Sequence, residues 1–250
     1  PPPLPPLVFF YCLMDDVSGQ TICEKYAANN TGDAQLALLT QVVNLSVLGD
    51  AELQVPGILA PDAGLLPFFN GGQPEGAVNF LDNGPIQARL LDHLYQFFGA
   101  LLGCNAADFP PYAGDPDMFR VHKNMKLTKP QIDYFIQQIG LAAAALGVEN
   151  ADVTAIGQAI DGLFNQRCTP PFTFDDGVPD FLVGTNPSVC VDPATCPIID
   201  QNLCPEVSEN GNTDAPTRSP IRAGGTSAGS SIGLTKMGTV FVLLGSAILM

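Results

Sequence analysis

The stretch Leu90-Leu91-Asp92-His93-Leu94-Tyr95-Gln96-Phe97-Phe98-Gly99-Ala100-Leu101-Leu102-Gly103 reads as one helix that stops on a glycine. Upstream, Pro85 stands where a first helical turn tolerates proline. Ile86, Leu90, Leu94, Phe97 and Leu101 then recur at three- and four-residue steps and make one apolar stripe. The same period continues on both sides. Leu36, Leu39, Val43 and Val47 form an earlier stripe, with Asp33 as its expected cap. Thr128 is the expected N-cap of a later helix carrying Ile132, Phe135, Ile136 and Ile139, with Leu146 near its end and Gly147 as its stop. Val153, Ile156, Ile160, Leu163 and Phe164 mark a last helix ending near Cys168. Strand alternation is almost absent, and glycine-rich irregular segments fall at 49–64 and 70–85. The expected class is all-α with long loops.

Composition sets the wider frame. The chain has 250 residues, 46% of them apolar, so a sizeable core is available. Its 23 prolines gather at the start and after residue 168, which predicts one globular domain with irregular flanks. A net charge of -15 lacks the basic footprint that nucleic acid requires, and it opposes binding to anionic membrane surfaces through protein charge. Among seven cysteines no Cys-x-x-Cys pair occurs, so zinc-ribbon and thioredoxin-type motifs are absent. Cys12 lies in an apolar run near the start. Without it six remain, an even number, and they read as disulfides of an oxidising compartment, with 15 pairings open.

The ends carry their own signals. Residues 1–19 read as a signal-peptide remnant, although no basic n-region precedes the apolar run and no Ala-x-Ala site follows it. Residues 169–204 form a Pro/Cys-rich extension and 205–236 a Ser/Thr/Gly-rich linker. Residues 237–250 are an apolar tail of about 21 Å as a helix, short of a bilayer core of about 30 Å. Small residues from Ala223 to Thr226, a polar spacer and that tail match a GPI-attachment signal, with a tail anchor as the other reading. An extracellular, membrane-anchored location at the cell surface is the expectation.

Both histidines lie on helix-like segments with apolar neighbours. His93 belongs to the stretch quoted above. His122 belongs to Tyr112-Ala113-Gly114-Asp115-Pro116-Asp117-Met118-Phe119-Arg120-Val121-His122. A neutral imidazole is a common axial ligand of haem iron. In order and spacing, the chain resembles the truncated (two-over-two) haemoglobin family, group 1-like. Residues Cys23-Glu24-Lys25-Tyr26 resemble its opening helix, and Leu66-Pro67-Phe68-Phe69 the segment before its distal helix. Phe97 to Cys104 resemble the end of that helix, with Cys104 in place of a second glycine. Tyr112-Ala113-Gly114, Met118 and His122 resemble its Tyr-x-Gly turn and proximal helix, and 127–146 the helix that follows.

The resemblance implies a two-over-two globin-like haem domain over 20–168, with the tail an irregular disulfide-rich addition. It implies His122 as proximal iron ligand, the bland alternative being a surface histidine beside Arg120 and Lys123. His93 either closes on the iron as a sixth ligand or points outward to a propionate or solvent. Leu90 and Leu94 would be the distal wall, and Phe68, Phe69, Phe97, Phe98 and Met118 would line the pocket. The same side chains suit an ordinary helical core equally well. Arg120, Lys123, Lys126 and Lys129 are the chain's basic cluster and would meet propionates, or else form a solvated face. The family's distal Phe-Tyr is replaced by Val43-Asn44, so Asn44 would donate a weaker bond to bound oxygen.

The implied function is binding of a diatomic gas, oxygen or nitric oxide, or haem redox chemistry, with nitric-oxide dioxygenation as its enzymatic form. A surface structural or assembly protein that keeps the fold, with or without haem and with homo-assembly, is the alternative. Other chemistries fail on inventory: no Gly-x-Ser-x-Gly elbow, no His-Glu-x-x-His, no phosphate loop, and no tryptophan for a sugar cleft. Two glycosylation sequons occur, Asn29-Asn30-Thr31 and Asn44-Leu45-Ser46. The second would be buried with a distal Asn44, which leaves Asn29 as the acceptor.

Overall fold

The first helix among the described residues of the computed structural model is only five residues long, so its own ladder cannot hold it. Helix α1, Ile22–Tyr26, is fixed from outside instead. Thr21 closes a capping box with Glu24: the Glu24 N–H donates to the Thr21 hydroxyl at 3.2 Å, and the Thr21 N–H donates to Glu24 Oε2 at 3.0 Å. The same hydroxyl donates to the Gly103 carbonyl at 2.8 Å. Gly103 has φ +74°, and a Cβ there would lie 2.6 Å from the Thr21 side chain, so only glycine admits this approach.

The structure describes residues 19–72, 78–82, 84–173 and 180–204. Five further α-helices follow α1: α2, Gly32–Leu48; α3, Gly84–Leu101; α4, Met118–His122; α5, Lys129–Ala145; and α6, Asn150–Phe164. Short 3-10 turns stand at Pro61–Ala63, Leu66–Phe68, Lys123–Met125, Asp180–Leu182 and Gln201–Leu203. Among the described residues the only β pairings are isolated bridges. The all-α class is therefore observed. Helix α2 packs on α1, α3 and α5, and α5 packs on α6. No helix among the described residues is long and apolar enough to cross a membrane. The expectations for the first 18 residues, the linker and the apolar tail lie outside the described residues.

The stripes bury as their period requires, with two corrections. Leu39 and Val43 of α2, Ile132 and Ile139 of α5, and Ile156, Ile160, Leu163 and Phe164 of α6 all enter one core. The cap of α2 is Thr31, not Asp33. The Ala34 N–H donates to the Thr31 hydroxyl at 3.3 Å, while Asp33 sits in the first turn, where its charge suits the helix dipole. On α3 the stripe does not bury along its whole length. Phe97 and Leu101 are buried, Leu90 and Leu94 are half-buried, and Ile86 is 38% exposed. The buried residues of α3 are Tyr95, Phe97, Phe98, Gly99 and Leu101, all in its later turns.

Six cysteines pair as Cys23–Cys104, Cys168–Cys204 and Cys190–Cys196, with Cα–Cα distances of 5.0, 4.6 and 5.7 Å. The extension from residue 169 does not hang free. Phe172, Leu182, Val189 and Cys190 are buried in the main core. The Val189 and Cys190 N–H groups donate to the Phe164 carbonyl at 3.1 and 2.9 Å and so satisfy the end of α6.

Candidate functional site

The Tyr112-Ala113-Gly114 turn is built by close approach. The Tyr112 ring folds back over Gly114, where a Cβ would stand 2.3 Å from the phenol oxygen, so a side chain there would push the ring aside. The phenol then donates to the Asp115 carbonyl at 3.1 Å. The Ala113 N–H donates to Gln96 Oε1 at 2.9 Å and ties the turn to α3. Asp117 caps α4 by accepting the Arg120 N–H at 2.9 Å.

His122 ends that short helix. Its Nδ1 is 2.8 Å from the Met118 carbonyl, and Met118 itself is buried. A carbonyl can only accept, so this contact places the ring proton on Nδ1 and leaves the Nε2 lone pair free. Neighbouring atoms enclose the ring, although part of the residue reaches solvent. This desolvation pushes the imidazole below its usual 6.5, partly offset by the Met118 contact. The sign of the pH dependence follows. Neutral His122 contributes stability that is complete above about 6.5 and is lost as pH falls through the lower folded value. The His122 ring is expected to titrate below 6.5 in an NMR pH series. A His122→Gln variant should lose part of the acid destabilisation. A His122 midpoint at or above 6.5 would contradict the enclosure.

His93 is half-buried on α3, and its ring stands edge-on to Tyr112 at 5.9 Å between centroids. The two histidines therefore have different neighbours: Tyr112 for His93, the Met118 carbonyl for His122. Phe97 is the hub of the region. Its ring meets Phe98 at 5.8 Å, Tyr112 at 5.5 Å, Phe164 at 5.9 Å and Phe181 at 6.0 Å. Phe68 and Phe69 are half-buried against the core, and Phe69 also meets Phe80. Leu94 and Phe98 face an apolar cavity of about 30 Å3, completed by Val43, Val47 and Phe135 among others. A second cavity of about 30 Å3 shares Leu39, Val42, Leu102, Ile139 and Ile156 with it and reaches Ile22 and Val148.

Several of the expected polar groups have partners within the chain. Asn44 does not stand free: its Oδ1 accepts the Tyr95 hydroxyl at 2.9 Å, a brace between α2 and α3. Burial raises the Tyr95 phenol to about 12, so it stays protonated and donates. A Tyr95→Phe variant is expected to lose about 1 kcal/mol in a denaturant melt. Unchanged stability would mean that the bond contributes nothing net. Arg120 is exposed and pairs with Asp115 at 2.5 Å, and Lys129 pairs with Asp133 at 2.7 Å. Each cation has found the nearest carboxylate of an acidic chain. Of the expected basic cluster, only Lys123 and Lys126 show no ion pair among the described residues.

The sequence reading missed the part that the extension plays here. Residues 181–195 brace both ends of the His122 segment. The Phe119 N–H donates to the Asn186 carbonyl at 3.2 Å. The Leu127 carbonyl accepts from the Val191 and Asp192 N–H groups at 3.2 and 3.3 Å, and the Lys129 N–H donates to the Thr195 hydroxyl at 3.1 Å. Phe181 closes over Tyr112 at 5.2 Å. Alternating cysteines and prolines announce an extension; nothing in them announces where it docks.

Among the described residues no three His, Cys, Asp or Glu side chains converge on a metal-sized point. Haem iron takes its four equatorial bonds from the porphyrin and asks the protein for one or two axial ligands only. As a donor His122 meets that demand, since its Nε2 has no hydrogen-bond partner among the described residues and its ring is oriented by a carbonyl; the two cavities described above are far smaller than a porphyrin and His122 lines neither. Comparison of the chain with protein-family models, curated proteins and solved structures finds no match.

Proposed function

We propose that this chain is a haem protein of the two-over-two globin type that binds a diatomic gas, oxygen or nitric oxide, at the cell surface. The observation that carries the reading is His122: an enclosed imidazole, kept neutral, with Nδ1 on the Met118 carbonyl and Nε2 left for a metal. The pairing of α2 with α3 and of α5 with α6, joined through α2 and α5, supports the two-over-two arrangement. Ile86, Leu90 and Leu94 support it too, since they form an apolar stripe that the protein itself covers only in part.

Bound haem supplies an iron centre that coordinates a diatomic gas and changes oxidation state. The chain's residues do the rest. His122 Nε2 would hold the group, with the ring oriented by the Met118 carbonyl. Leu90 and Leu94 would help to exclude water from it, together with Phe97 and Phe98. Lys123 and Lys126 are the cations left for propionates. The apolar cavities behind Leu94 and Phe98 suit a small neutral gas and disfavour water, which needs polar partners. The family's strong distal donor is replaced here by Asn44, whose carbonyl end is engaged by Tyr95. Gas binding rather than nitric-oxide dioxygenation is the activity proposed, since turnover requires a reductant outside the cell. The three disulfides support the extracellular setting.

A second reading has its own observation. Tyr112 already stands against His93 and Phe181 against Tyr112, and the described cavities are far smaller than a porphyrin. This packing favours a structural or assembly protein that keeps the fold without haem. Haem titration followed by visible spectroscopy separates the two. Tight, saturable binding that His122→Ala abolishes supports the first reading, and no binding supports the second. Within the first, His93→Leu converts a six-coordinate spectrum to a five-coordinate one if His93 ligates iron, and leaves it unchanged if His93 faces propionate or solvent.

A further inference from the structure

We infer that the folded, secreted protein carries an N-linked oligosaccharide at Asn29 and none at Asn44. The inference rests on the secretory reading above and is independent of haem. Both positions head Asn-x-Ser/Thr sequons, and the structure separates them.

Asn29, Asn30 and Thr31 are all exposed, in the bend between α1 and α2. The Thr31 hydroxyl donates to Asn29 Oδ1 at 2.6 Å, so the hydroxyl and carboxamide that define the sequon already face each other, with Nδ2 left over. Asn30 is pulled the other way: its Oδ1 accepts Gln35 Nε2 at 2.6 Å, and Gln35 is fully buried. The tripeptide is therefore anchored through its middle residue and through Thr31 as the cap of α2, while the acceptor amide stands outside the core. A glycan on Nδ2 displaces no packed group.

Asn44 stands in the fourth turn of α2. Its carboxamide holds Tyr95, and Tyr95 is buried. Ser46 is 2% exposed, and its hydroxyl donates back to the Val42 carbonyl at 2.7 Å. Asn44 itself is half-buried, and a glycan on its Nδ2 would crowd the α2–α3 brace that the same carboxamide makes with Tyr95.

A bond forms between Asn29 Nδ2 and the anomeric carbon of an oligosaccharide carried on a lipid pyrophosphate. The bond from that carbon to the pyrophosphate oxygen breaks, the lipid pyrophosphate leaves, and one Nδ2 proton passes to solvent. No electron transfer is involved.

The test uses the full chain directed through the secretory pathway of a eukaryotic host by a cleavable leader, so that passage through the lumen is imposed. Protein from medium and lumen is digested with peptide-N-glycosidase in heavy-oxygen water and mapped by mass spectrometry. The expected result is one glycan, removed by the enzyme, with Asn29 converted to labelled aspartate and Asn44 unlabelled. Asn29→Gln should remove the whole mass shift, and Thr31→Ser should retain it. Natural-mass protein, or label at Asn44 in folded material, would overturn the inference. Should Asn29→Gln fold poorly, the label position in the wild-type protein still decides.

Discussion

Removing Cys23 and Cys104 together, as the double alanine variant, is expected to lower the unfolding free energy by about 4 kcal/mol on a chain-entropy estimate. The bond joins residues 81 apart, and closing so long a loop is a large loss of freedom for the unfolded chain. The folded side adds to this. Cys23 is fully buried, and α1 depends on the Thr21 and Cys23 contacts to Gly103 and Leu102. Without the bond, α1 is kept on the core by the packing of Ile22, by those hydrogen bonds and by the ion pairs of Lys25 with Glu149 and Asp152. Denaturant melts of the wild type and the double variant, both unreduced, check the figure. A difference under ~1 kcal/mol would mean that α1 docks equally well without its staple.

Truncation of Phe97 to alanine comes next, at about 3–5 kcal/mol. One ring joins α3, the Tyr112 turn, α6 and the extension through four aromatic contacts. The cavity left behind cannot collapse easily, because its walls belong to separate segments. The effect should also be directional. Phe181 loses its seat, so the Phe119 and Gly184 amides, bonded to Asn186 and Phe172, should exchange hydrogen faster than amides in α5. Phe97→Leu should recover most of the stability. A Phe97→Ala protein as stable as the wild type would contradict the hub.

Much of the fold was legible because burial repeats with the helix period. Residues 129–145 and 150–164 declare themselves through Ile132, Ile139, Ile156 and Ile160, each on a face that meets another helix. The stripe on α3 misled in its first half, since a period reveals which residues share a face and not how far a partner extends along it. Asp33 has the residue type of a cap, but Thr31 is where the backbone leaves the extended region, and the sequence alone does not mark that point. Cys104 in place of glycine was visible as an oddity; its meaning, a bond to Cys23, needed three dimensions.

The site was legible as a pair of histidines in context and less so in its polar detail. Met118 and His122 are four residues apart, so the helix puts the Met118 carbonyl within reach of the His122 ring. Tyr95 on Asn44, Arg120 on Asp115 and the extension's hold on Phe119 and Leu127 are pairings that helical spacing alone does not encode. They come from docking of separate elements. An aromatic-rich segment closed by a left-over pair of basic residues looks the same in sequence whether it faces a porphyrin or its own core.

The visible spectrum of the full chain, purified after expression with haem available, bears most directly on the central claim. The account predicts an intense Soret band at about one haem per chain, lost in His122→Ala and retained in Asn29→Gln. A correctly folded, disulfide-bonded protein with no Soret band, or one whose band survives His122→Ala unchanged, would contradict it.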